Sequence, residues 1–196
     1  MKAASGTLFA AGALVSGLLL WEVLFSGQLG FSISFLEEIW SRNLGNLLMS
    51  PLRPIEFVAA LMVMSLVRLM VGLVPTVILA VAFFGFDMAR LGVGIVAFFA
   101  LLIITGWAVA LLVAGLILRH GLGAESLAWT ILFVFWPLCC VYYPLSVLPW
   151  WLKPVALALP PTYVFEGMRG VLADGVLRLD YLAAAALLNI VWSAAA

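Results

Sequence analysis

The sequence predicts an all-α fold, a polytopic bundle of transmembrane helices. Its 196 residues are 67% hydrophobic and 9% charged, with a mean hydropathy of +1.28. A water-soluble domain of this size could not hide that much apolar surface. The apolar residues gather into runs near residues 7–35, 55–84, 92–118, 127–145 and 179–196, and about 20 apolar residues cross a bilayer as helix. Backbone in lipid must satisfy its own hydrogen bonds, and the alternating pattern of a β-barrel is missing, so these runs are helices. Net charge is zero, which leaves no basic field for a nucleic-acid partner.

The first run, 7–35, follows Lys2 in the manner of a signal peptide. No small-residue cleavage site follows at its end, and the run is long for a signal, so it reads as a span. Next comes the main break in the oily pattern, EEIWSRNLGNLLMSPLRPIE over 37–56. Leu36, Ile39, Trp40, Leu44, Leu47 and Leu48 recur at helical spacing, with Glu37, Glu38, Ser41, Arg42, Asn43 and Asn46 on the other face. Pro51 and Pro54 stop this helix before the second span. A short amphipathic helix between spans lies in the membrane interface or offers a face to something in water.

The second and third spans, 55–84 and 92–118, lead into the polar loop 119–126. There Gly121-x-Gly123 is too short for a phosphate cradle and reads as a helix end, and His120, the only histidine, reads as solvated. The fourth span, 127–145, contains the adjacent Cys139 and Cys140, whose number and spacing fit small core side chains better than a disulfide or metal framework. In 144–180, Pro144, Pro149, Pro154, Pro160 and Pro161 cut the chain into apolar pieces too short to cross, such as 155–159 and 163–172. Proline-broken half-helices predict a re-entrant or interface-lying hairpin, tolerated only against protein or a water-lined cavity. Trp150 and Trp151 suit the headgroup level. The last span ends at Trp192-Ser193-Ala194-Ala195-Ala196 with no interfacial anchor, as if cut inside its helix.

Catalytic motifs fail. G-x-x-x-x-G-K-[ST], H-E-x-x-H and G-x-S-x-G are all missing from the sequence, and no cofactor is expected. Glu37-Glu38-Ile39-Trp40-Ser41-Arg42 fits E-E-x-x-x-R and so resembles the motif of CAAX-type intramembrane proteases. That family also needs histidines on other helices. Leu116 stands four residues before His120, and there is no second histidine to help activate water.

The same stretch resembles another family more fully. Arg42-Asn43-Leu44-Gly45-Asn46-Leu47-Leu48-Met49-Ser50-Pro51, then Pro54 and Glu56, is similar to the loop after the second span of ABC-2 type exporter permeases. Tyr143-Pro144-Leu145-Ser146-Val147-Leu148-Pro149, followed by Leu159-Pro160-Pro161-Thr162-Tyr163-Val164-Phe165-Glu166-Gly167-Met168-Arg169, resembles that family's signature before its last span. The resemblance implies one ABC-2 type transmembrane domain over 1–196, with five spans of a six-span fold and the first span lacking. It implies a cytoplasmic coupling loop at 37–54, in which 37–49 is a helix docking on a separate ATPase subunit, and an outer re-entrant segment at 144–178. Glu38, Arg42, Asn43, Gly45 and Asn46 would face the ATPase. Pro160, Pro161, Tyr163, Glu166 and Arg169 would shape the re-entrant motif. The implied protein is a permease in a bacterial inner membrane, paired with a second copy and leaving ATP hydrolysis to its partner. Polysaccharide, lipid and drug exporters share this architecture, so the cargo stays open. A non-transporting scaffold is the alternative in another class.

Charges add three expectations. Loops 37–54 and 119–125 carry Arg42, Arg53 and Arg119, whereas the other side carries Lys2, Arg90, Lys153, Arg169 and Arg178. The positive-inside count therefore runs against the implied orientation. Arg68, near the middle of the second span, is costly there; either it pairs inside the bundle with Glu22, at a comparable depth, or it snorkels or faces a water-filled cavity. Arg42 either meets a carboxylate of the ATPase or pairs with Glu38 four residues back. The small residues Ala10, Ala11, Gly12, Ala13 and Gly17 mark a packing face on the first span, toward a second copy or toward a further span.

Overall fold

A computed structural model describes residues 2–84 and 94–196, with side chains placed from Gly12 onward except Leu48 and Phe84. Arg90, Gly92 and the side chains of Lys2, Ala10, Ala11 and Leu48, which carry sequence expectations, lie outside the described residues. The chain runs α1 (Lys2–Trp40), α2 (Leu44–Met49), α3 (Pro54–Phe84), α4 (Gly94–His120), α5 (Leu127–Leu138), α6 (Lys153–Leu157), α7 (Pro160–Asp174) and α8 (Leu179–Ala195). Three helices are long and apolar enough to cross a membrane, over Gly12–Trp40, Pro54–Phe83 and Gly94–His120; Leu122–Leu138 and Leu179–Ala195 are shorter apolar helices. The all-helical bundle expected from composition is thus the fold observed.

α1 lies at the centre, packed on α3 along one side and α4 along the other. It is the least apolar of the three long helices and the most buried. Lipid-facing positions favour the oilier helices, so a helix carrying Gln28, Ser32 and Ser34 is best placed inside. Small residues allow the close approach. A Cβ on Gly106 of α4 would lie 3.1 Å from the Gln28 backbone nitrogen, and one on Gly30 would lie 3.1 Å from Ser65 Cα on α3.

Two ends of the bundle are distinct. At one, α1 and α4 finish while α3 and α5 begin. Phe31, Phe35, Leu36, Leu61, Val113 and Ile117 form its core, and Trp40 Nε1 donates to Glu125 Oε2 at 3.3 Å, tying the end of α1 to the loop after α4. At the other, α7 and α8 fold back as an antiparallel hairpin: Tyr163 meets Tyr181 with ring centroids 6.3 Å apart, and Trp192 Nε1 donates to Ala158 O at 3.2 Å.

Three element expectations need correction. The single amphipathic helix over 37–49 is two helices. α1 carries Glu37 and Glu38 to its end at Trp40, and α2 starts only at Leu44. The fourth span, expected over 127–145, is helical only to Leu138. Pro137 removes a helical donor, and Cys140 takes a left-handed backbone at φ 56°, which ends the helix there. Gly17, assigned to a face toward another chain or span, is used internally: a Cβ there would sit 2.9 Å from Val141 O.

Candidate functional site: the α1–α2 turn, the polar interior and the broken hairpin

The α1–α2 turn follows from its hydrogen bonds. Arg42 N donates to Ile39 O and Asn43 N to Glu38 O, each at 3.0 Å. These are the two bonds of a Schellman ending, which places Arg42 at the left-handed position that glycine usually fills. Arg42 has φ 57°. A side chain in that region costs roughly 1–2 kcal/mol, so the position carries strain that glycine would lack. Arg42 is exposed, and among the described residues its guanidinium has no ion-pair partner.

Glu38 does not take Arg42. Its Oε2 accepts from Asn43 Nδ2 at 2.8 Å, bracing the turn across its mouth. Asn46 Nδ2 reaches Asn43 Oδ1 at 3.4 Å, and Gly45 and Asn46 are exposed on α2 while Leu44 and Leu47 turn toward the bundle. Of the five residues expected on the docking face, Arg42, Gly45 and Asn46 are outward, whereas Glu38 and Asn43 hold the turn. The E-E-x-x-x-R pattern has a structural account: Glu37 holds Arg68, Glu38 holds Asn43, and His120 Nδ1 contacts Leu116 O at 3.1 Å.

The expected Glu22–Arg68 pair is overturned. Arg68 Nη2 lies 2.6 Å from Glu37 Oε2, with the side chains 33% and 50% exposed on the flank of the bundle. Both chains are long enough to lean toward each other along the helices. Glu22 instead accepts from Ser26 Oγ, and a Cβ on Gly72 would lie 3.6 Å from its Oε1, one turn of α3 beyond Arg68. Counting from the span ends missed this because α1 runs on as helix to Trp40.

Sequence reasoning passed over the interior polar residues. Thr105 Oγ1 donates to Asn189 Oδ1 at 2.7 Å, and Asn189 Nδ2 donates to Leu101 O at 3.0 Å, joining α4 to α8. Trp107 Nε1 donates to Ser65 Oγ at 2.7 Å, joining α4 to α3. Gln28, fully buried, gives Nε2 to Ser32 Oγ at 3.1 Å while its Oε1 lacks a partner. The available signal was the amides and hydroxyls inside the apolar runs, among them Gln28 and Ser32 in the first, Ser65 in the second, Thr105 in the third and Asn189 in the last.

The hairpin residues cooperate as a brace. Pro160 and Pro161 open α7, where missing N–H groups cost nothing, and Thr162 Oγ1 donates to Ala156 O at 2.6 Å to fix the α6–α7 corner. One turn on, Glu166 Oε1 accepts from Leu145 N at 2.7 Å and from Arg169 Nη2 at 3.0 Å. Arg169 Nη1 reaches Val141 O at 3.4 Å. Glu166 and Arg169 thus hold the irregular 141–148 segment against α7, and Tyr163 packs against Tyr181 of α8 with the two rings tilted. Arg169 is therefore a structural cation rather than a loop charge, which removes one positive from the side that outweighed the α1–α2 end.

A family profile described as ABC-2 type transporter matches residues 1–173. None of the curated proteins compared matches the chain. The matched stretch takes in the long central helix, the strained turn and nearly all of the proline-broken hairpin up to the end of α7, and on that match the chain belongs to the ABC-2 type transporter family of membrane proteins.

Proposed function

We propose that this chain is the permease subunit of an ATP-driven exporter in a cell membrane. A separate ATPase subunit docks at the α1–α2 turn, and a second permease copy completes the path. The observation that carries the reading is Arg42. A glycine position is occupied by a strained, outward guanidinium with no ion-pair partner among the described residues, as expected of a group kept for a contact outside the chain. With the family, this supports 37–54 as the cytoplasmic coupling loop, 144–178 as the outer re-entrant segment, and 1–196 as one transmembrane domain.

The test is ATPase stimulation by the full-length permease reconstituted with an ABC ATPase subunit. Truncating one partner of a buried interfacial charge pair costs about 2–5 kcal/mol. Arg42→Ala should therefore abolish most of the stimulation while insertion and abundance stay at wild-type levels. Arg42→Gly relieves the turn but also lacks the guanidinium, and should fail in the same way. Wild-type stimulation in both variants would remove Arg42 from the coupling contact.

A further inference from the structure

A cavity of about 440 Å³ lies at the α1–α2 end of the bundle. Its walls are Phe35 of α1, Leu44 and Leu47 of α2, Phe57 of α3, and Gly115 and Leu118 of α4, with other apolar side chains between them. α2 is its roof. Left empty, such a space deprives its lining of dispersion contacts, and carbon walls give water nothing to bind. At roughly 30 Å³ per water-sized unit, about fifteen such units fit in it.

The charges at this end identify the occupant. Every carboxylate there is engaged within the chain: Glu37 by Arg68, Glu38 by Asn43, Glu56 by the Arg53 backbone nitrogen, and Glu125 by Trp40. Arg53 and Arg119, which directly follow the wall residues Leu52 and Leu118, are exposed and form no ion pair among the described residues. Apolar walls beside free guanidiniums at the end of membrane-spanning helices fit one ligand class, an anionic phospholipid with an acyl chain inside and its phosphate at the rim. We propose that this cavity is a phospholipid site, and that the lipid chain supports α2 from beneath. The inference is independent of the ATPase reading, since it needs only the bilayer.

Gly115 permits a clean test. A Cβ there meets nothing within 4 Å, so Gly115→Phe fills the cavity without displacing backbone, and Gly115→Ala leaves most of it open. The full chain is placed in phosphatidylcholine vesicles containing phosphatidylglycerol with a photoreactive group on one acyl chain. Wild type and Gly115→Ala should be labelled in 44–49 and 111–118. Gly115→Phe should lose about tenfold of that labelling, equivalent to ~1.4 kcal/mol. Gly12→Phe, also at an open glycine but far from the cavity, should label as wild type. The double variant Arg53→Gln and Arg119→Gln should reduce labelling to that given by a neutral photoreactive phosphatidylcholine. Equal labelling of 44–49 and 111–118 in wild type and Gly115→Phe would overturn the proposal. So would a wild type unlabelled there in vesicles, which would assign the cavity to a protein segment.

Discussion

At the scale of single residues, Arg68 sets the sharpest energetic problem. It lies fourteen residues into α3, about 21 Å from the start of that helix, on an apolar face where an arginine costs about 2.5–3.5 kcal/mol if it meets lipid. Glu37 answers it from the last turn of α1. If the flank faces lipid, Glu37→Gln should destabilise the fold by about 1–3 kcal/mol, because it strands a guanidinium, whereas replacing both partners, Glu37→Gln with Arg68→Leu, should be near neutral. If the flank faces water, the coupling between the two positions falls to about 0–1 kcal/mol. A double-mutant cycle on unfolding in lipid discs measures the difference; a double variant no more stable than Glu37→Gln alone would contradict the lipid-facing account. The need for a partner was legible in the sequence, since an arginine inside an apolar run always poses it. The partner was not, because depth counted from span ends ignores how far two long side chains lean.

At the scale of elements, legibility depended on whether a break disturbs the hydrophobic pattern. Prolines announced the hairpin pieces α6 and α7 because they alter backbone chemistry directly. The break between α1 and α2 left no such trace. Leu36, Ile39, Trp40, Leu44 and Leu47 keep helical spacing across it, and the Schellman bonds at Arg42 and Asn43 return the chain with the same face inward. The irregular 141–148 segment rests on a few side-chain bonds rather than a ladder. Cys139 and Cys140 are both wholly buried beneath it and are free thiols. Glu166→Ala removes the acceptor for Leu145 N and Arg169 together. A hydrogen bond to a charged group is worth about 1.5–3 kcal/mol, so the segment should open at least about tenfold more often. Maleimide labelling in the folded protein should rise by that factor over a slow wild-type rate; unchanged labelling would mean that the apolar contacts of Cys140, Leu148 and Ala156 hold the segment alone.

At the scale of the whole molecule, association of membrane helices gains little from hydrophobicity, because lipid tails are as apolar as leucine. What holds this bundle is close contact and internal polar bonds. The Thr105–Asn189 bond ties α4 to α8 and the Trp107–Ser65 bond ties α4 to α3, while Gly106 sets α4 against the backbone of α1. Two glycines on the same helix separate packing from propensity. At Gly106 a methyl group would lie 3.1 Å from Gln28 N and 3.2 Å from Leu24 O, both backbone atoms that can retreat only if the helices part. At Gly115, nine residues along, it would meet nothing. Intrinsic helix propensity favours alanine at both sites by about 0.5–1 kcal/mol. Gly115→Ala should therefore stabilise the protein by that amount. Gly106→Ala should destabilise it by about 1–3 kcal/mol, because overpacking against backbone outweighs the propensity gain. Thermal unfolding of the two variants in the same lipid discs reads both signs at once. Stabilisation by Gly106→Ala would mean that α1 and α4 do not approach as closely as the central packing requires, and the burial of the least apolar long helix would then need another cause.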